Sequence, residues 1–371
     1  MKKEAFEKLR ADAIRQGLPN WYYEPIDEPL TDRSAWEQLP EYYREQVQKK
    51  NEKVCRILRE HPEYAAFVFF SDAHVRQNRM SSVPIIRSVL KNTPVKDVFY
   101  GGDTVSAWVT DETMREDMRY FAEAFAFAQP YMVRGNHDVA GKEFAYSDIG
   151  YIAPSEEVRQ WMIRGEHPDA VTFPGKNYYY FDRPAAHLRY IVIDTTDVME
   201  HIVGEDGSWL SRDAASVGEI RWFAELLAAT PEDYRIVVLG HVPVFRELKW
   251  YNSFALPFGD IINAFNRREP VTVEADGGNA AFDFSDAAGK VILFLCGHGH
   301  CDDVCITPEG CIGYEINCDA WIDNGGSAYS RTQGTTSENA LDVILLDPAG
   351  GRMETVRYGA GEDRSISIKE T

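Results

Sequence analysis

The chain has 371 residues and a formal net charge of −20, with 39 Lys and Arg against 59 Asp and Glu. That balance, with no run of basic residues, argues against nucleic acid as a partner. No apolar stretch reaches the length of a membrane helix, and the charged start Met1-Lys2-Lys3-Glu4 lacks a signal-peptide core, so a cytoplasmic protein with no membrane association is expected.

Residues 1–60 read as an N-terminal helical extension: Tyr42, Tyr43, Val47, Val54, Ile57 and Leu58 recur at helical intervals, and Pro62 ends the segment. Residues 61–371 are expected to form one α/β domain. Its first apolar run, Ala65 to Phe70, reads as a buried strand and stops at Ser71-Asp72-Ala73-His74. A second, Val95 to Tyr100, stops at Gly101-Gly102-Asp103. A helix is expected from Asp111 to Ala128, acidic in its first turn and ended by Pro130. The short run Tyr131 to Val133 then leads into Gly135-Asn136-His137-Asp138.

Further along, the capping box Ser216-Val217-Gly218-Glu219 opens a helix running to about Ala229. The run Ile236 to Leu239 precedes Gly240-His241-Val242-Pro243, and Val291 to Cys296 precedes Gly297-His298-Gly299-His300. In the tail, Leu341–Leu346 and Met353–Tyr358 flank Asp347-Pro348-Ala349-Gly350-Gly351, a hairpin pattern. This order of elements predicts a two-sheet β-sandwich flanked by helices.

Each of the five words sets Asp, His or Asn in a loop just beyond the carboxyl end of a strand, where open α/β sheets build their sites. Seven such groups gathered on one edge would be costly to desolvate without metal. Asp72 and His74, two positions apart on a strand end, would face the same side and chelate one ion, and His298 and His300 repeat the arrangement. A mixed nitrogen and oxygen set suits Mn, Fe, Zn or Co.

Taken in order, the five words resemble the signature of the calcineurin-like metallophosphoesterases: D-x-H, GD, GNH(D/E), GH and GHxH, here spanning Asp72 to His300. The resemblance implies that Asp72, His74 and His300 bind one metal ion, that Asn136, His241 and His298 bind a second, and that Asp103 bridges them. It implies that His137 contacts the phosphoryl group or protonates the leaving oxygen, with Asp138 orienting its imidazole. The implied reaction is direct attack by a hydroxide generated at the two ions on a phosphomonoester or phosphodiester of a small anionic substrate. A metal-dependent nuclease and a non-catalytic scaffold are the alternatives; the acidic balance counts against the first and the complete ligand set against the second.

Three positions after Asp103 stands Ser106, where purple acid phosphatases have Tyr and the serine/threonine protein phosphatases have Asp followed by Arg-Gly. Asp138 stands where the protein phosphatases have Glu. The chain therefore resembles a bacterial-type member outside both branches.

The other histidines singled out, His61, His167, His187 and His201, are expected to be surface or core residues. Cys296, Cys301, Cys305, Cys311 and Cys318 fit no zinc-module spacing and are expected as reduced thiols in strands. Tyr178 to Tyr180 read as core, Trp250 and Tyr251 as pocket wall, and the word Gly359 to Arg364 as structural. The oligomeric state is left open.

Overall fold

The computed structural model describes residue 15 and residues 29–106, 111–138, 155–162, 167–203, 209–253, 255–322, 329–349 and 351–368. The predicted run Ala65–Phe70 is strand β1. The strands that follow are β2 (Asp97–Tyr100), β3 (Tyr131–Met132), β4 (Val171–Thr172), β5 (Tyr179–Arg183) and β6 (Leu188–Val192). After them come β7 (Val198–Val203), β8 (Trp209–Ala214), β9 (Arg235–Leu239), β10 (Pro270–Ala275), β11 (Gly278–Asp283) and β12 (Lys290–Cys296). The last five are β13 (Asp303–Ile306), β14 (Ile312–Glu315), β15 (Ala340–Asp347), β16 (Arg352–Gly359) and β17 (Arg364–Ser367). The helices are α1 (Glu41–Glu60), α2 (Ser82–Asn92), α3 (Asp111–Ala124), α4 (Ser155–Met162), α5 (Val217–Ala228) and α6 (Leu256–Arg267).

Two large sheets result, ordered β17-β16-β15-β1-β2-β3 and β13-β14-β12-β9-β6-β5-β4. Within them β1, β2 and β3 run parallel, as do β6, β9, β12 and β14. Period-two alternation along each strand explains why the sheets stack. Phe67 and Phe69 of β1 meet Val237, Leu239, Leu293 and Leu295 of the second sheet in the inner core. Val68 and Phe70 face outward onto Tyr43, Val47 and Val54 of α1 and Ile85 of α2. On the far side, Ile236 and Val238 face Phe223 of α5 and Phe258 and Ile262 of α6. The expected sandwich of two mixed sheets flanked by helices is what the chain forms.

Two local expectations change in detail and a third is met. Helix α3 ends at Ala124, four residues early, because the chain tightens into turns and Gln129 takes φ +44° ahead of Pro130. Helix α5 is capped as expected, with Ser216 Oγ accepting from Glu219 N–H at 3.2 Å, but the Glu219 carboxyl turns inward and accepts from Asp194 N–H at 2.7 Å. The tail hairpin forms in the register Leu341 opposite Tyr358 and Leu346 opposite Met353.

The N-terminal extension is described only in part, residues 1–14 and 16–28 lying outside the described residues. Its helix α1 is held to the tail by Lys50 and Lys53, both 2.7 Å from Asp363. The word Gly359 to Arg364 thus serves structure, joining α1 to β16 and β17. No described helix is long and apolar enough to cross a membrane.

Candidate metal centre

Parallel strands deliver their carboxyl ends to one edge. The first sheet supplies Asp72 and His74 after β1, Asp103 after β2, and Asn136 and His137 after β3. The second sheet supplies His241 after β9 and His298 and His300 after β12. The centre lies where the two sheet edges meet.

There the ligand atoms fall into two groups, Asp72 with His74 and His300, and Asp103 with His241 and His298, each within 4.8 Å of one another. In the first group His74 Nε2 lies 3.1 Å from His300 Nε2, and His300 Nε2 lies 3.4 Å from Asp72 Oδ1. In the second, Asn136 Oδ1 lies 3.0 Å from His241 Nε2 and 2.8 Å from His298 Nδ1. Asp103 Oδ2 adds a contact of 3.1 Å to His241 Nε2.

The imidazoles are aimed by backbone. His74 Nδ1 lies 2.9 Å from the Val105 carbonyl oxygen, and His241 Nδ1 lies 2.8 Å from that of Gly101. A carbonyl oxygen only accepts, so the neutral ring carries its proton on Nδ1 and turns an Nε2 lone pair inward. His241 Nε2, Asn136 Oδ1 and Asp103 Oδ2 then converge as three acceptors, an arrangement that calls for a cation among them. The donor set fits metal ions of intermediate softness.

Charge follows the same logic. Burial and the neighbouring His300 and His137 hold His74 down at about 4, so it stays neutral. Burial works against a charged His241, yet Asp103 and Asp72 raise it to about 9, so a proton on Nε2 competes for the place among these acceptors that a metal ion would take. Asp103 is held well below the ordinary carboxylate range by His241 and His137, which outweigh its burial.

The loops reach this geometry by an unusual route. Asp72, His74, Asp103, His298 and His300 have φ of +55°, +36°, +58°, +79° and +51°. Non-glycine residues rarely occupy that region, and backbone strain of this kind gathers at functional sites. The paired ligands therefore converge through left-handed loops and not through the extended strand ends that their spacing suggested. Gly135 is needed for close approach, since a Cβ there would collide with Asp103.

His137 is beside the ligands but outside both groups. Its ring is 5.1 Å from that of His74, and its Nε2 lies 3.8 Å from Asp103 Oδ2. Asp138 also carries a backbone role. Its carboxylate accepts from the backbone N–H of Gly135 (2.8 Å), Asp103 (3.0 Å), Thr104 (2.7 Å) and Val105 (3.3 Å). It staples two ligand loops together.

A family model described as calcineurin-like phosphoesterase matches residues 65–302. The chain belongs to that family. Among solved structures, this phosphoesterase is similar to a dimetal phosphatase from Danio rerio, with a TM-score of 0.54 at 13% identity, covering 82% of this chain and 99% of that one. It also matches a 5′-nucleotidase from Candida albicans (TM-score 0.41, 13% identity, 82% of this chain and 52% of that one). A phosphopantetheinyl hydrolase from Mycobacterium tuberculosis is a third (TM-score 0.37, 13% identity, 68% and 89%). At such identities the likeness is one of fold. No curated protein matches significantly in sequence.

Residues outside the five words also build the phosphoesterase centre. Glu315 at the end of β14 is buried behind it and accepts from Gly299 N–H at 2.8 Å, between the two ligand histidines. Burial keeps its carboxyl well above the ordinary range. The Tyr100 hydroxyl accepts from Ala73 N–H at 3.1 Å, beneath the first ligand pair. Neither position stands out in sequence, since each looks like one more residue of a strand.

The remaining histidines lie elsewhere: His61 is 3.2 Å from Glu63, His187 is 2.7 Å from Asp233, and His167 is 3.2 Å from the Pro130 carbonyl. The side chain of His201 is outside the described residues. The five clustered cysteines are buried and free, and burial pushes the Cys301 thiol to about 12. Tyr178 and Tyr179 are core residues, whereas Trp250 and Tyr251 are exposed.

Proposed function

We propose that this phosphoesterase is a binuclear hydrolase that cleaves a phosphomonoester or phosphodiester of a small anionic substrate. The observation that carries the reading is the pair of adjoining ligand groups. Asp72, His74 and His300 would hold one ion, Asn136, His241 and His298 the other, and Asp103 would contribute to both. Two ions of the Mn, Fe, Zn or Co class supply an acidified water as nucleophile and neutralise charge on the phosphoryl oxygens.

The chain's own residues do the rest. The backbone carbonyls of Val105 and Gly101 keep the His74 and His241 rings in their ligating tautomer. The four amides gathered by Asp138 hold the Asp103 and Asn136 loops in register. His137 would contact the phosphoryl group or give a proton to the leaving oxygen. Six free cysteines accord with a cytoplasmic setting.

The deciding experiment reconstitutes the protein with each metal. It then screens phosphorylated metabolites and nucleotides beside a generic aryl diester and single-stranded DNA. Turnover of a small phosphoester that chelator removes is expected. Turnover of DNA alone would replace the reading with the nuclease, and no turnover of any phosphoester would refute it.

A further inference from the structure

The loop after His241 carries two large exposed aromatic rings, one of them against the last ligand loop, and it is firmly anchored. Phe245 and Leu248 are buried, and both lie so near Gly313 of β14 that a Cβ there would touch them. Leu248 N–H donates to the Phe245 carbonyl at 3.2 Å, and Lys249 N–H donates to Asp303 Oδ2 at 2.9 Å. From this anchor project Trp250 and Tyr251, 48% and 43% exposed.

The indole lies against Gly299, the residue between His298 and His300. A Cβ on Gly299 would run into the Trp250 ring on one side and the Glu315 carboxylate on the other. Its neighbourhood is therefore the loop that carries two ligand histidines. An anchored, half-open indole so close to a reactive centre is the arrangement by which binding sites present apolar surface to a ligand. A flat ring, with no polar group required of the partner, selects another flat ring by stacking.

We propose that Trp250, flanked by Tyr251, is a specificity residue that stacks a planar aromatic group of the substrate next to its phosphoryl group. The preferred substrates are then aryl or nucleoside phosphoesters rather than alkyl or sugar phosphates. This rests on the phosphoesterase reading above. An indole N–H is a donor only and offers no atom to a metal ion, so its contribution is to binding the leaving group and not to holding the ions.

The test is calorimetric binding of methylphosphonate, phenylphosphonate and a nucleoside phosphonate to metal-loaded protein, with metal content measured alongside. Wild type should bind phenylphosphonate about tenfold or more tightly than methylphosphonate, the scale of one aromatic stacking contact. Trp250→Ala should abolish that preference while metal content and methylphosphonate affinity hold, and Trp250→Phe should restore most of it. A further gain with the nucleoside ligand would identify the ring as a nucleobase, and none would identify a simple aryl group. No preference in wild type, a preference that survives Trp250→Ala, or equal weakening of both simple ligands would overturn the proposal. If wild type binds neither simple phosphonate, the phosphoesterase reading itself fails and takes the stacking role with it.

Discussion

Arg357, fully buried on β16, grips Asp302 through two hydrogen bonds, Nη1 to Oδ2 at 3.0 Å and Nη2 to Oδ1 at 2.6 Å. Asp302 stands two residues after His300. The same guanidinium reaches Asp342 of β15 through Nε at 2.8 Å and Nη2 at 3.0 Å, so it sits between two buried carboxylates. Burial alone would raise Asp302, but Arg357 and Arg364 hold it down at about 2. The hairpin at the end of the chain thereby braces the last ligand loop.

Removing this clamp should be severe. Arg357→Met leaves Asp302 and Asp342 buried without their cation, and breaking such a pair costs about 3–5 kcal/mol. Arg357→Lys keeps the charge but not the two-pronged geometry and should fall between. Urea denaturation measures both. A loss under about 1 kcal/mol for the Met variant, the value of an exposed pair, would show that the clamp is dispensable.

The two ligand groups should fill together. Purified protein is expected to take up two transition-metal ions per chain, and Asp103→Ala should lower the affinity of both. Elemental analysis after dialysis reads this directly. One tightly held ion, indifferent to Asp103→Ala, is the result that defeats a shared centre.

His137 separates binding from chemistry. His137→Asn should lower kcat by about a hundredfold or more with normal metal content, because its ring lies outside both ligand groups. His241→Ala, by contrast, should lose metal. If the two variants lose metal alike, His137 belongs among the ligands.

Asp363 supplies a pH-dependent tie between α1 and the tail. Burial opposes its charge, but Lys50, Lys53 and the Arg357 backbone N–H lower it below the ordinary value of 3.8. A depressed carboxylate adds stability that is fully present above its unfolded value and lost as pH falls through the folded one. Asp363→Asn should therefore cost about 1–2 kcal/mol at pH 7. The difference from wild type should shrink below pH 4. A gap that stays constant from pH 7 to pH 3 would mean the ion pairs contribute nothing.

Iron-loaded protein should be nearly colourless. Ser106 is buried where a tyrosinate would be required, and its hydroxyl has no phenol to offer. Tyr100 is near, yet its hydroxyl is engaged with Ala73 N–H, and burial keeps the phenol well above its usual range. An intense visible band that disappears in Tyr100→Phe would show that this phenol reaches the ion.

The chemistry of this protein was legible in the sequence because it is local. Each ligand word follows an apolar run, and the runs became β1, β2, β3, β9 and β12 nearly to the residue. Strand alternation and the tail hairpin are likewise short-range patterns. The sandwich followed from their order.

What only the tertiary structure decided involves buried polar groups whose partners lie far along the chain. Asp138 gathers four backbone amides, a role its place beside His137 does not announce. Glu219 closes a capping-box pattern yet accepts from Asp194 N–H, and Glu315 looks like a strand residue yet backs Gly299. Asp302 meets Arg357 across 55 positions. The residue types at these places announce only that a partner is needed, since a buried carboxyl without one is costly. Which donor comes within reach is settled by how the two sheets stack, and the left-handed turns at Asp72, His74, Asp103, His298 and His300 are held by that stacking against their own local preference.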